Sequence, residues 1–381
     1  MKRLTLAPHR LYFFLGALSL LVLFSWWWLY LQSGRTLAVP LHALIMPLGV
    51  FPLFILGFTF TAGPRWLGVE ADDHDFLLHG GTYFCGLLLV LLASMLGWLP
   101  LRTSGFALML SAWLAVTWRW GSLVRQSRSG DKKHALGIAV AMCGGAAALG
   151  CAVLWSMGWH AAWGVARQLA FFGFLLPVFL TVCHRMLPFF SSNVLVPYTA
   201  WRPSWLLALW LAACYLLALA GSLGIWLLEV FAASTLCLSF AYTSWRWGLF
   251  RCLQNRLLAM LHLSFAWLSI VFGLQALTAL GMEMGSAAIH ALGLGFMGTM
   301  LVGFVSRVTY GHSGRPLQAS NGLWALYLGL HLAALLRVIA SVWALPQLLT
   351  WSASLWLLLL LLWVAQMLPV YLRARADGQP G

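Results

Sequence analysis

Charge is what this chain has least of. Only 8% of its 381 residues are Asp, Glu, Lys or Arg, where a soluble domain carries about 25%. Acids are scarcest, with eight Asp and Glu against 22 Lys and Arg. No polar stretch is long enough to form a separate soluble domain. The seven cysteines include no C-x-x-C pair, which argues against a cysteine metal site or a dithiol redox centre. None lies in a predicted outer loop, so no disulfide framework is expected. No P-loop, serine-triad or H-E-x-x-H motif occurs. No C-x-x-C-H occurs either, so no haem is attached covalently in the c-type manner.

What remains is apolar. The chain is 62% hydrophobic and contains twelve runs of membrane-crossing length, each needing about 17–25 residues. The runs are predicted at 11–31, 40–63, 80–98, 101–118, 135–157, 162–183, 204–221, 223–244, 257–280, 286–308, 322–343 and 346–371. The fold class is therefore all-α, a polytopic membrane bundle of about twelve helices. Helices are the natural solution because lipid offers no partner to a backbone polar group. Connections are short, so residues 1–381 are expected to form a single integral-membrane bundle.

A net charge of +14 raises nucleic acid as a partner, but its placement points to the bilayer instead. Of the 22 cationic residues, only Arg35 and Arg102 fall in a predicted outer loop or at an outer span end, and Arg167 and Arg337 fall well within spans. The remaining eighteen lie in the inner loops and tails or at an inner span end if the N-terminus is inside. That is a strong positive-inside bias. It predicts cytoplasmic termini and an even number of spans. The first run exceeds the roughly 7–15 residues of a signal-peptide core, so it is read as an uncleaved helix. Trp26, Trp27 and Trp28 at its outer end suit an interfacial aromatic belt. The one acidic segment, at 64–78, places His74 beside Asp72, Asp73 and Asp75. It is read as a solvated loop, with metal sensing as the sharper alternative.

Eleven histidines occur. His9, His74 and His134 fall in segments read as solvated; His79 at an inner helix end and His160 in an outer turn are read as interfacial. Histidine within a span is costly in lipid and marks a site by default. His42 and His290 both open on His-Ala-Leu near the outer end of a span that runs inward, so they are predicted at similar depth. Facing imidazoles of that kind suit b-type haem; hydrogen bonding across a helix interface is the alternative. His331 lies mid-span, with Arg337 further toward the outside. Arg337 is expected to meet a haem propionate, a helix C-terminus or Glu229. His184, His262 and His312 gather toward the inner side by topology, as a copper-like site or a polar seal. Arg185, Arg307 and Arg315 accompany them. Gly293 and Gly295 sit inside a helix rather than after a strand. They are read as giving close helix approach or room for a flat cofactor.

These residues carry a resemblance. HALGLGFMGTMLVGFVSRVTYGHSGRP at 290–316, HRMLPFFSSN at 184–193, NRLLAMLHLSFAWL at 255–268, LLRVIA at 335–340 and GFTFTAGPRWLG at 57–68 are similar to segments of the NnrS family of bacterial membrane proteins. The family typically has His-Ala-His-Glu-Met in the second span. Here that place reads His42, Ala43, Leu44, Ile45, Met46, so the second histidine and the glutamate are missing. The resemblance implies a protein that binds haem b and copper and serves nitric oxide metabolism or protection against nitrosative stress. It also implies a bacterial inner-membrane location. The residues read by depth and topology as candidates for haem contact are His42, His262, His290, His331 and Arg337, and for copper His184, His262 and His312. Nitric oxide is the implied small-molecule partner. Twelve spans also suit a transporter of haem, metal or a small anion, or an assembly factor for respiratory enzymes. No set of catalytic residues stands out.

Overall fold

A computed structural model of the protein describes residues 3–34, 38–70 and 75–379. Twelve helices are long and apolar enough to cross a membrane. They are α1 (Pro8–Gln32), α2 (Val39–Leu67), α3 (Phe76–Leu96), α4 (Leu99–Gln126), α5 (Lys133–Ser156), α6 (Ala162–Ser192), α7 (Ser204–Leu223), α8 (Trp226–Arg246), α9 (Arg256–Ala279), α10 (Ala287–His312), α11 (Asn321–Val342) and α12 (Pro346–Leu372). Among the described residues there is no β-strand. The protein is an all-α, multi-pass membrane protein. Every predicted run is a helix, and the departures are at the ends. α4 continues eight residues past its predicted end, and α6 takes in HRMLPFFSS. Helical hydrogen bonding carries on past the point where composition turns polar, so apolar runs understate helix length.

The packing falls into two compact units, Met1–Thr181 with Tyr371–Arg373, and Val182–Val370 with Ala374–Gly381. In the first unit α2 is the most enclosed helix. It remains helical through Pro47, Pro52 and Pro64. Proline removes an N–H and so strands the carbonyl four residues back. Pro52 strands Leu48, and the Tyr83 hydroxyl of α3 donates to that carbonyl. Glycines set the close approaches. A Cβ on Gly86 would come within 2.7 Å of the Gly105 carbonyl, and one on Gly105 within 2.7 Å of that of Gly86. α3 and α4 therefore meet backbone to backbone.

α6 contains a π-helical stretch, Leu169–Leu175, just before Pro177. Pro177 has no N–H to offer the Gly173 carbonyl. That carbonyl points at α5, only 2.2 Å from where a Cβ on Gly144 would lie. In the second unit α9 and α10 are the most enclosed of the helices lying wholly within it. α10 carries the other π-helical stretch, Ala291–Gly298. Its three glycines weaken the regular α-helical register. Short π segments inside α-helices recur at functional sites, and this one begins one residue after His290.

Candidate functional site

The head of α10 and the far end of α11 are joined by a polar cluster. Ser286, just before α10, offers its carbonyl to His290 Nδ1 at 2.8 Å. A carbonyl only accepts, so Nδ1 carries the proton and Nε2 carries the lone pair. Metal-binding histidines are commonly oriented by such a bond from the other nitrogen to a carbonyl. Arg337 Nη2 donates to Ser286 Oγ at 3.1 Å, and Nη1 donates to Ser341 Oγ, one helical turn further on. Gly285 makes the approach to α11 possible. It sits at φ 52°, and a Cβ there would lie 2.9 Å from the Ser341 carbonyl. Among the described residues no carboxylate pairs with Arg337. Glu229, one of its predicted partners, instead accepts from Gln275 at 3.4 Å.

Deeper in the same unit α9, α10 and α11 share a second cluster. Trp267 Nε1 donates to His331 Nδ1 at 2.8 Å. Tyr327, one turn before His331, meets its ring edge-on at 4.6 Å between centroids. Thr299 Oγ1 donates to Ser264 Oγ at 2.8 Å. Ser264 hydrogen-bonds the Tyr327 hydroxyl at 2.8 Å, and that hydroxyl donates to the Met260 carbonyl. The glycines of the π stretch divide their predicted roles. A Cβ on Gly295 would fall 2.5 Å from the Trp267 ring, so this glycine serves packing; nothing lies within 4 Å of one on Gly293.

His184, His262 and His312 are spread over separate partners. His184 is buried and donates from Nε2 to the Pro203 carbonyl at 3.1 Å. His262 is 1% exposed and bonds Ser191 Oγ at 2.9 Å. His312 ends α10 and is half-buried. Among the described residues no three His, Cys, Asp or Glu side chains group as a metal ion requires. The copper set expected from the sequence, His184, His262 and His312, is therefore not gathered into a cage here. Burial pushes the nearby Cys252 thiol up to about 12, so it offers no thiolate. Arg307 is 7% exposed and lies 4.3 Å over the Phe190 ring, a cation–π contact. Arg315 caps the exit of α10, its backbone N–H reaching the Tyr310 carbonyl at 3.1 Å. Gly314, at φ 67°, is the left-handed residue such a helix end favours. The Gly-His-x-Gly-Arg-Pro signature thus has a structural part. Arg185 lies half-buried on α6, beside His184.

In the first unit His42 stacks on Trp27 of α1, with centroids 3.7 Å apart and planes at 26°. Trp26, read from sequence as part of an interfacial aromatic belt, is buried and donates to Ser94 Oγ at 2.9 Å. His9 and His134, read as solvated, are 7% and 2% exposed. Both fall in the first turn of a helix that turns them inward, which their charged neighbours do not signal. His74, with Asp72 and Asp73, lies outside the described residues. Sequence reasoning also passed over Ser264, Trp267, Ser286, Thr299, Tyr327 and Ser341. Their only signal was hydroxyl and aromatic groups at helical spacing among apolar residues.

A family model described as NnrS protein matches residues 3–375, nearly the whole chain, and the chain belongs to that family. No curated protein and no solved structure gives a match.

Proposed function

We propose, from membership of the NnrS family and the geometry at the head of α10, that this protein binds haem in a bacterial inner membrane. In this reading both termini are cytoplasmic, and the role is in nitric oxide metabolism or protection against nitrosative stress. The carrying observation is His290. Its Nδ1 proton is committed to the Ser286 carbonyl at 2.8 Å. Nε2 therefore holds the lone pair, which is the form in which imidazole binds a metal. Arg337 supports the same reading. A membrane-embedded guanidinium with no carboxylate partner among the described residues suits an anionic propionate, and Ser286 and Ser341 hold it in place. Haem, when bound, would supply an iron that takes up nitric oxide. The chain's own part is to present His290 in one tautomer, to place positive charge at the same end of the helices, and to keep water out with apolar packing. His42→Ala, in the other unit, is the parallel variant for the same spectrum.

The test is the absorbance spectrum of the purified full chain after expression with ample haem. A Soret band is expected, and it should be lost or displaced in His290→Ala. A wild-type spectrum without a Soret band would sink the haem reading. A transporter is the second reading. The observation favouring it is that α6 and α10 each contain a π-helical stretch, since interrupted helices often frame transport sites. Haem or anion flux into proteoliposomes, without retained haem, would establish transport instead.

A further inference from the structure

The two ring nitrogens of His331 have opposite fates. Nδ1 accepts the indole N–H of Trp267 at 2.8 Å. An indole nitrogen can only donate, so Nδ1 must supply the lone pair, and the neutral ring then bears its proton on Nε2. That Nε2 is fully buried and has no acceptor among the described residues. A buried donor without an acceptor is costly, and the hydrocarbon region has no water to relieve it.

The surroundings hold this arrangement. The imidazole plane lies within 12° of the Trp267 ring plane. Tyr327 packs edge-on against the imidazole and is itself anchored to Ser264 and the Met260 carbonyl. Trp267 occupies the space where a side chain at position 295 would sit. Flipping the His331 ring would leave the Trp267 N–H facing a carbon. While that bond stands, His331 cannot present a lone pair from Nε2 to a metal.

We infer that His331 is a hydrogen-bond donor to a small ligand rather than a metal ligand, with Trp267 as its positioning residue. The acceptor atom belongs to a small uncharged molecule, because the donor is neutral and lies near the middle of a membrane-crossing helix. Resting on the haem reading, this ligand is a diatomic gas on the iron. It reassigns His331 from the set of haem-ligating histidines.

The test uses carbon monoxide on the reduced, haem-loaded full chain, read by infrared spectroscopy. A donor aimed at the bound gas draws electron density toward the outer oxygen and lowers the C–O stretch. His331→Leu should raise that frequency with the Soret band intact. His331→Gln, which keeps a donor, should return it part of the way. Trp267→Phe should split the band in two, because both imidazole tautomers then become accessible. An unchanged stretch in His331→Leu with an intact Soret band overturns the inference, and so does loss of the Soret band, which would make His331 an iron ligand. If His331→Leu does not fold, His331→Gln and Trp267→Phe are decisive, and unshifted bands in both overturn it. Wild-type protein that takes up no haem overturns the haem reading and this inference together, and is told apart by its missing Soret band.

Discussion

Tyr83 donates its hydroxyl to the carbonyl of Leu48, the carbonyl that Pro52 cannot serve. Both partners are buried. A helix proline thus creates a need that a neighbouring helix meets. Tyr83→Phe should lower the stability of the purified protein by about 1–3 kcal/mol, the usual cost of leaving a buried acceptor unsatisfied. Pro52→Ala restores the local N–H. Thermal unfolding of both single variants and the double variant measures the coupling. If Tyr83→Phe costs the same with and without Pro52, the account is wrong.

Gly144 faces the Gly173 carbonyl with no room for a methyl group. Gly144→Ala should destabilise by about 1–3 kcal/mol through overpacking. Gly150 lies on the same helix with nothing within 4 Å of an added Cβ, and Gly150→Ala is the control. It should be neutral or stabilising, since alanine is the better helix former. Similar melting temperatures for the two variants would contradict the packing argument.

Arg10 is 4% exposed, and its Nη1 donates to the carbonyls of Tyr371 at 3.2 Å and Arg373 at 2.9 Å. A cation at the last carbonyls of a helix satisfies groups that have no intrahelical partner. Arg10→Ala should cost about 1.5–3 kcal/mol, the range for hydrogen bonds to charged groups. Increased protease cleavage after residue 370 would report the loosened end. Equal cleavage of variant and wild type would count against it.

Asp377 is held down to about 2 by hydrogen bonding to Arg375, with Nη2 and Oδ2 2.6 Å apart. Its folded value is depressed, so any stability from this exposed pair is fully present above the usual carboxylate value. It is lost as pH falls through about 2. Arg375→Ala should return the Asp377 titration toward its usual range, as read by carboxyl-carbon NMR. An unmoved titration would dismiss the pair as its cause.

Within the proposed haem site, Ser341→Ala and Ser286→Ala separate side-chain from backbone roles. Ser286→Ala removes a hydroxyl partner of Arg337 but keeps the carbonyl that orients His290. The Soret position should persist in both variants, and haem retention on dilution should fall. Loss of the band in either would mean that these hydroxyls do more than hold Arg337.

Much of this molecule could be read in advance because a membrane imposes few solutions. Twelve apolar runs in the sequence became twelve helices, since each run had to satisfy its own backbone in lipid. The segment at 290–316 marked both the family and the stretch that holds His290. Alternation of hydrophobicity, however, says little about direction when nearly every residue is apolar. Trp26 and Trp27 look alike in sequence, yet one is buried against Ser94 and the other stacks on His42. His9 and His134 stand beside cations and are enclosed all the same.

Composition and charge placement by themselves determined the helical class and the membrane setting, and the motif segments, above all 290–316, carried the family. Tertiary structure alone decided which nitrogen of His290 and which of His331 holds the proton. His290 and His331 are the same residue type in apolar spans, and a sequence treats them as equals. A carbonyl of Ser286 makes one a lone-pair donor at Nε2, and an indole of Trp267 makes the other a proton donor at Nε2. Hydrogen-bond polarity is set by the partner across the interface, and that partner is chosen by packing.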